Sequence, residues 1–227
     1  AEKLQAVDKL KSRFFANISH ELRTPLTLIL GPLYHILDNA DEFNKQKILT
    51  QLGTMKRNGK SLLRLVEEIL DLSKLDADKL ELNNQPTDIT VFLRNIYYRF
   101  LPQAENKKIR FAREFDVLTG MEVTIDNNKL EKIIMNLLSN ALKFTASDGD
   151  IRLSAMVKEQ QLMVAVTDSG VGISEADLPR VFERFFQSSD PDKKTTGGTG
   201  IGLAFVKELV DLMGGHIRAI STLGEGT

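Results

Sequence analysis

Residues 14–27 read Phe-Phe-Ala-Asn-Ile-Ser-His-Glu-Leu-Arg-Thr-Pro-Leu-Thr, inside a long stretch whose apolar residues recur every three or four positions. This spacing predicts one helix over residues 4–38, because side chains at i, i+3, i+4 and i+7 share a face of an α-helix. At about 100° per residue, Ile18 and Leu22 lie on the apolar side. His20 lies roughly 160–200° from that side, so we expect its imidazole to point to solvent.

A second amphipathic stretch predicts a helix over residues 44–75, after a turn at residues 38–41. Two helices joined by so short a loop form a hairpin, and one hairpin alone leaves its apolar stripe half covered. Pairing two hairpins into a four-helix bundle covers that stripe. We therefore expect residues 1–82 to form a helical hairpin that dimerises.

The pattern changes after residues 83–87, which read Asn-Asn-Gln-Pro-Thr and are typical of a break between elements. Beyond them, helices and strand-like runs occur in separate blocks, which favours an α+β layer over a parallel βαβ arrangement. The second domain is therefore predicted over residues 83–227. Its predicted helices and strands are helices at 88–102, 127–144 (capped by Asp126) and 201–213, and strands at 109–115, 121–125, 151–157, 162–167 and 216–221.

The composition of the 227 residues excludes several kinds of function. Thirty Lys and Arg residues against 31 Asp and Glu leave a formal net charge of −1, which offers no basic footprint for nucleic acid. The absence of cysteine excludes disulfides, thiolate metal sites and thiol catalysis. No apolar run approaches the roughly 18–20 residues that a membrane helix needs. We expect no nucleic-acid partner and no direct membrane contact by this chain.

The exposed position of His20 admits two interpretations. A solvated histidine on the surface of a helical bundle needs no function. The same imidazole beside the carboxylate of Glu21 also suits nucleophilic attack, because one ring nitrogen is unprotonated near neutral pH and a carboxylate can hold the other N–H. Thr24 follows one turn later on the polar side, and Pro25, which has no N–H to donate, should loosen or kink the helix.

Residues 14–27 resemble the H-box of the two-component sensor histidine kinases over a dozen positions. In that family the histidine accepts the γ-phosphoryl group of ATP, the acidic residue after it acts as a base, and the threonine of an E-x-x-T pattern serves the reverse reaction. The resemblance implies catalytic roles for His20, Glu21 and Thr24. As partners it implies a second copy of the chain, in a homodimer, and a response-regulator receiver domain, in the same polypeptide or on a separate chain. His35 and His216 are interpreted as structural or surface residues.

Asn136, Asn140 and Lys143 are spaced at i, i+4 and i+7, on one face of a predicted helix. Amide oxygens suit Mg²⁺ and an ammonium suits phosphate, although the polar outer face of an amphipathic helix explains the spacing equally well. The segment, which ends with Phe144 and Thr145, resembles the N-box of the same family. That resemblance implies that Asn136, Asn140, Lys143 and Phe144 bind ATP and that Asn140, with Asn136, holds Mg²⁺.

Two glycine segments lie further along the chain. Asp168, Gly170 and Gly172 are explained by an ordinary turn, but they resemble the G1 box, whose aspartate reads the adenine amine. Residues 197–203 open a helix and lack both the Gly-Lys-Ser/Thr of a Walker A loop and the strand of a Rossmann fingerprint. They resemble the G2 box, which implies nucleotide contacts by Gly198, Thr199, Gly200, Ile201, Gly202 and Leu203.

The segment between the glycine boxes completes the likeness. Residues 181–187 resemble the F-box, although a short helix that packs three phenylalanines is the simpler interpretation. Residues 188–196, rich in Asp, Lys and Thr, predict a mobile lid. The order of the boxes implies an α+β fold, in which a Bergerat-type α/β sandwich with a mixed, mostly antiparallel sheet follows the helical hairpin.

Asn136 separates a kinase from related ATPases. Gyrase-like and Hsp90-like ATPases carry a glutamate four residues before the Mg²⁺-binding asparagine, as base for the hydrolytic water, and that position is Asn136 here. The sequence therefore favours an ATP:protein-histidine phosphotransferase over a GHKL-type ATPase, with a non-catalytic or phosphatase-dominant dimer module as a further alternative. We expect the ATP domain to swing on a linker near residues 74–86.

The two ends of the sequence indicate a fragment, because it begins without Met and stops within Gly-Glu-Gly-Thr at residues 224–227. In the family a closing strand follows that segment, so we expect a shortened sheet edge. We interpret the chain as a cytoplasmic part of a larger sensor, membrane-anchored or not.

Overall fold

The computed structural model describes residues 2–38, 45–76, 80–115, 118–184, 186–187 and 200–227. The chain divides into two compact units, whose main boundary falls between Leu80 and Glu81. None of the helices in the described ranges is long and apolar enough to cross a membrane.

The first unit is built on two long helices, α1 (Glu2–Asp38) and α2 (Lys45–Asp76). Both agree with the predicted helices to within two residues at each end, and most of the predicted turn between them lies outside the described residues. The two helices approach closely, since a Cβ built on Gly59 of α2 would lie 4.0 Å from Cδ1 of Ile29. Helix α1 continues through Pro25, as the single predicted helix requires, because a proline removes one N–H donor while the neighbouring hydrogen bonds persist.

The second unit alternates strands and helices. Its elements in chain order are β1 (Gln85–Asp88), α3 (Ile89–Asn106), β2 (Arg110–Glu114), β3 (Glu122–Ile125), α4 (Asn127–Phe144), β4 (Asp150–Lys158), β5 (Gln161–Asp168), a 3-10 turn (Leu178–Arg180) and α5 (Gly202–Leu212).

The strands form two small sheets. β1 pairs with β3 antiparallel, while β4 pairs with β2 in parallel and with β5 antiparallel. Alternate residues of β4 enter the core, where they meet the apolar faces of α3 and α4. The buried core residues include Leu93, Ile96 and Phe100 of α3, Ile134, Leu138 and Ala141 of α4, and Ile151, Leu153 and Ala155 of β4. This layering of helices on a mixed sheet confirms the predicted α+β class.

Three local predictions in the second unit are wrong. Residues 216–221 form no strand, although exposed and half-buried residues alternate along them and Ile220 is 72% exposed. Helix α3 does not end at Pro102 but continues to Asn106. The segment predicted as a break includes β1, whose Thr87 is buried. For the two strand segments, the presence or absence of a pairing strand decides whether a strand forms, and the local sequence pattern does not.

Asp126 joins the start of the second unit to α4. Its carboxylate is 1% exposed and caps α4, because Oδ1 accepts the N–H of Lys129 at 3.0 Å. Oδ2 accepts the N–H of Asn83 at 2.9 Å, and Nζ of Lys129 lies 3.6 Å from the same oxygen. Close by, the Thr87 hydroxyl donates to Oδ1 of Asn127 at 2.7 Å. The chain that enters the second unit is thus fixed to the first turn of α4.

Replacing Asp126 by Asn should lower the free energy of unfolding by about 1–2 kcal/mol at pH 7, the usual worth of a helix cap with a charged acceptor. Burial raises the pKa of Asp126, but the N–H groups of Asn83, Lys129 and Asn128 and the Lys129 charge outweigh it and lower this pKa below 3.8. A lowered folded pKa contributes stability above the unfolded value and loses it as pH falls.

The stability difference between the wild type and Asp126→Asn should therefore shrink as pH falls below about 3.8. Urea unfolding at pH 7 and at pH 3 measures it. Asp148→Asn, which changes an exposed carboxylate in the same unit, is the matched control. An unchanged difference at both pH values would contradict the assignment.

Candidate functional site

His20 is exposed on α1, as its position opposite the apolar face predicted, while Ile18 is 8% exposed. Glu21 is half-buried and Thr24 is exposed. The Thr24 hydroxyl donates to the backbone carbonyl of His20 at 3.2 Å. The helix therefore presents the imidazole to solvent with a hydroxyl one turn away, which leaves the ring accessible to a second reactant.

A pair of side-chain amides lies on α4. Nδ2 of Asn140 donates to Oδ1 of Asn136 at 3.2 Å, and both residues are half-buried. Gly202, the first residue of α5, touches this pair: a Cβ built there would lie 2.7 Å from Nδ2 and 2.9 Å from Oδ1 of Asn136. Any larger residue at position 202 would displace the Asn136 side chain from its observed position. Gly202 and the amide pair therefore form one site.

The last turn of α4 meets the loop that follows β5. Nζ of Lys143 lies 5.0 Å from the centre of the Phe144 ring. The carbonyl of Phe144 accepts the N–H of Val171 at 3.3 Å, and a Cβ on Gly170 would lie 2.6 Å from the same carbonyl oxygen. The glycine therefore permits the loop to pack directly against the end of α4.

Asp168 ends β5 and is half-buried. Its Oδ1 accepts the N–H of Gly170 at 2.8 Å. Burial raises the pKa of this carboxyl above 3.8, and the N–H groups of Gly170 and Thr227 oppose the shift. The backbone of Asp168 pairs with Thr227 in both directions, at 2.8 and 3.1 Å. A carboxylate held in this way offers a fixed hydrogen-bond acceptor.

Residues 221–227 support the Asp168 loop, a relation that the sequence motifs did not predict. Gly172 has φ +65°, and a Cβ there would lie 2.0 Å from the carbonyl oxygen of Thr222. Gly226 has φ +115°, and its Cβ would lie 1.9 Å from the carbonyl oxygen of Asp168. Gly226, the second glycine of Gly-Glu-Gly-Thr, is the residue in the sequence that could have indicated this contact, because such close backbone approaches require glycine.

The segment before α5 is described only in part. Gly200 has φ +67°, Ile201 is buried, and Leu203 is half-buried at the start of the helix. Gly198 and Thr199 lie outside the described residues, as does the predicted lid at 188–196.

In the F-box-like segment, residues 181–184 form turns rather than a helix, and Phe182 and Phe186 are half-buried, while Phe185 lies outside the described residues. Arg184 of this segment forms an ion pair with Glu208 of α5, and Arg180 stacks over the Phe186 ring.

Helix α4 brings the predicted residues of the second unit together. Asn136, which contacts Gly202, and Phe144, which contacts the Asp168 loop, are eight residues apart on α4. At 1.5 Å per residue, the two contacts are about 12 Å apart along the helix. The described residues contain no cluster of three His, Asp or Glu side chains that could hold a metal ion. Any metal at α4 would therefore rest on the amide oxygens and on oxygens of a bound ligand.

Two family profiles match the chain. Residues 10–78 match the His Kinase A (phospho-acceptor) domain, and residues 125–227 match the histidine kinase-, DNA gyrase B- and HSP90-like ATPases. The first match includes His20, and the second includes the amide pair and the Asp168 loop.

Known proteins resemble the chain along nearly its whole length. It is 38% identical to sensor histidine kinase GacS of Pseudomonas protegens, over 100% of this chain and 25% of GacS. Full-length ShkA in complex with AMPPNP matches with a TM-score of 0.67 and 29% identity, over 96% of this chain and 44% of ShkA.

A third likeness concerns the fold alone. Histidine kinase ThkA in complex with response regulator protein TrrA matches with a TM-score of 0.58 and 21% identity, over 94% of this chain and 57% of ThkA. The chain spans a quarter of the length of GacS and about half of either solved structure. The chain thus contains a His Kinase A (phospho-acceptor) domain followed by a domain of the histidine kinase-, DNA gyrase B- and HSP90-like ATPases, which is the domain pair of a histidine kinase core.

Proposed function

We propose that the chain transfers the γ-phosphoryl group of ATP to His20 and passes it on to an aspartate of a response-regulator receiver domain. The observation that carries this proposal is the exposed imidazole of His20 within a phospho-acceptor domain. Asn136 adds support, because the ATPase domain has an amide where a water-activating carboxylate would serve hydrolysis. The nucleophile must then come from outside the nucleotide site, and His20 supplies one.

The nucleotide is proposed to lie along α4. Asp168 would accept a hydrogen bond from the adenine amine, and its fixed carboxylate, with the Gly170 and Gly172 backbone close by, suits a planar base. The triphosphate would reach the other end of the site, at Lys143, Asn140 and residues 198–203. The positive end of the α5 helix dipole favours an anion there.

Asn140 and Asn136 fit a magnesium ion that accompanies the nucleotide. Their contact uses the nitrogen of Asn140, which leaves its carbonyl oxygen as a ligand, and hard oxygen ligands are what Mg²⁺ takes. When bound, the ion would neutralise charge on the β- and γ-phosphates. The Asn136 side chain, which packs against the backbone of Gly202, keeps the Asn140 amide in place, so these residues contribute position rather than charge.

At His20 the unprotonated ring nitrogen would attack the γ-phosphorus. The new N–P bond forms as the bond from the γ-phosphorus to the bridging oxygen breaks, and ADP leaves with that electron pair. Glu21 would hold the other ring N–H and take its proton as positive charge develops on the imidazole. Thr24, whose hydroxyl is one turn away at the same face, is proposed to serve the reverse duty of removing phosphate from the partner.

The proposed partners are a second copy of this chain and a receiver domain. Both helices of the first unit carry large apolar side chains that are exposed in one copy: Leu26, Leu28, Tyr34, Leu37, Leu49, Leu52, Leu63, Val66 and Leu70. Burial in a four-helix bundle would remove them from water, and sedimentation should give the mass of two chains. The exposed His20 within a phospho-acceptor domain supports the second partner, which would take the phosphoryl group from it.

The proposal is tested with the purified chain, Mg²⁺ and γ-labelled ATP. We expect one acid-labile, base-stable label per chain at most, the stability of a phosphoramidate rather than of a phosphate ester. Release of inorganic phosphate without any protein-bound label would support an ATPase instead and overturn the proposal.

A further inference from the structure

We propose that Ser221 is a positioning residue for nucleotide specificity, acting through Asp168. The inference rests on the proposed function, in which Asp168 recognises the adenine base. Ser221 belongs to none of the boxes that resemble the kinase family in the sequence. It lies in the stretch predicted as a strand, which in the structure pairs with no neighbour among the described residues.

The Ser221 hydroxyl ties three segments together. Oγ accepts the N–H of Ile173 at 2.8 Å and donates to the carbonyl of Gly226 at 2.6 Å. It also lies 2.8 Å from Oγ1 of Thr227. Because a hydroxyl has a single proton, the bond to Gly226 makes Thr227 the donor in the third contact. All hydrogen-bonding capacity of this half-buried hydroxyl is therefore used within one cluster.

Each of these contacts leads to Asp168. Thr227 pairs with the backbone of Asp168 in both directions, at 2.8 and 3.1 Å, and Gly226 lies directly against the Asp168 carbonyl. On the other side, Ile173 ends the loop that begins with Asp168. Ser221 thus contacts one end of this loop directly, at Ile173, and the other end through Gly226 and Thr227.

Loss of the hydroxyl should change recognition of the base rather than the chemical step. Ser221 touches neither α4 nor α1 in the contacts described, so the amide pair and His20 keep their places. Without Oγ, the Ile173 N–H and the Gly226 carbonyl lose their partner, and the loop gains freedom. A freer Asp168 accepts a less well aligned hydrogen bond from the adenine amine, and discrimination against guanine falls.

The test compares Ser221→Ala with the wild-type chain by calorimetric titration of AMPPNP and GMPPNP. We expect the Kd for AMPPNP to rise roughly tenfold and that for GMPPNP to change little. In labelling with ATP, KM should rise while kcat at saturating ATP stays within about twofold. Ser221→Thr, which keeps the hydroxyl, should restore adenine affinity, and Ser154→Ala, at a half-buried serine on β4, should behave as wild type.

A double-mutant cycle with Asp168→Ala decides whether Ser221 acts through Asp168. We expect Asp168→Ala to weaken AMPPNP binding and Ser221→Ala to add nothing in that background. Full additivity, or an unchanged Kd for Ser221→Ala alone, would overturn the inference and leave the proposed function intact. Unchanged binding by Asp168→Ala would instead refute base recognition by Asp168 and the inference with it. If Ser221→Ala unfolds, Ser221→Cys, of similar size but with a weak donor, replaces it with the same expectations.

Discussion

Replacing His20 by Gln should reduce phosphoryl label on the protein by at least about a hundredfold, because the group that forms the new bond is gone. Glutamine keeps a polar side chain of comparable reach on an exposed helix surface, so α1 should remain folded. Binding of AMPPNP should be unchanged, since His20 is not among the residues proposed to bind the nucleotide. The measurement is label per chain, with nucleotide affinity determined on the same samples.

His35→Gln is the matched control, since His35 is also exposed and lies on the same helix. It should incorporate label as the wild type does. Equal label on wild type and His20→Gln would mean that another residue accepts phosphate and would contradict the proposed function.

Replacing Gly202 by Ala should lower kcat/KM for ATP by about tenfold to a hundredfold, because the added Cβ would displace the Asn136 side chain by up to about an ångström. The contact at 2.7 Å involves the end of a flexible side chain, so the fold can yield without unfolding. The displaced amide then no longer holds Asn140, whose oxygen is the proposed magnesium ligand. Steady-state labelling as a function of ATP and Mg²⁺ concentration measures the loss.

A larger requirement for Mg²⁺ in Gly202→Ala would indicate that the amide pair, rather than α5 itself, carries the effect. Gly31→Ala is the control, because a Cβ at Gly31 meets nothing within 4 Å. Wild-type kinetics for Gly202→Ala would refute the link between Gly202 and the metal site.

The parts of the molecule that the sequence predicted well depend on local periodicity. Exposure of His20 follows from its angle on a single helix, and α4 runs over the predicted residues 127–144 with Asp126 as its cap. A cap and an apolar stripe are encoded within one turn of the positions they fix. The contact between Asn136 and Asn140 follows for the same reason, since residues four apart face each other.

The parts that could not be predicted depend on contacts between distant segments. β1 has only four residues and contains Pro86, and it exists because β3 offers a partner. Residues 216–221 carry the alternation of a strand but form no strand in the structure. The support of Asp168 by Ser221 and Thr227 joins residues more than fifty positions apart, and no local pattern encodes such a pairing.

The hydrogen bond from Asn83 to Asp126 limits where a junction can be placed in a chimeric protein built from this chain. Because the donor is the backbone N–H, any residue except proline can stand at position 83, whereas the acceptor depends on the side chain at position 126. A chimeric kinase that takes its second unit from this chain should therefore begin at Glu81 or carry a residue other than proline at position 83. A junction placed after Asn83, with proline as the last recipient residue, would leave a buried carboxylate oxygen without its partner at the base of α4.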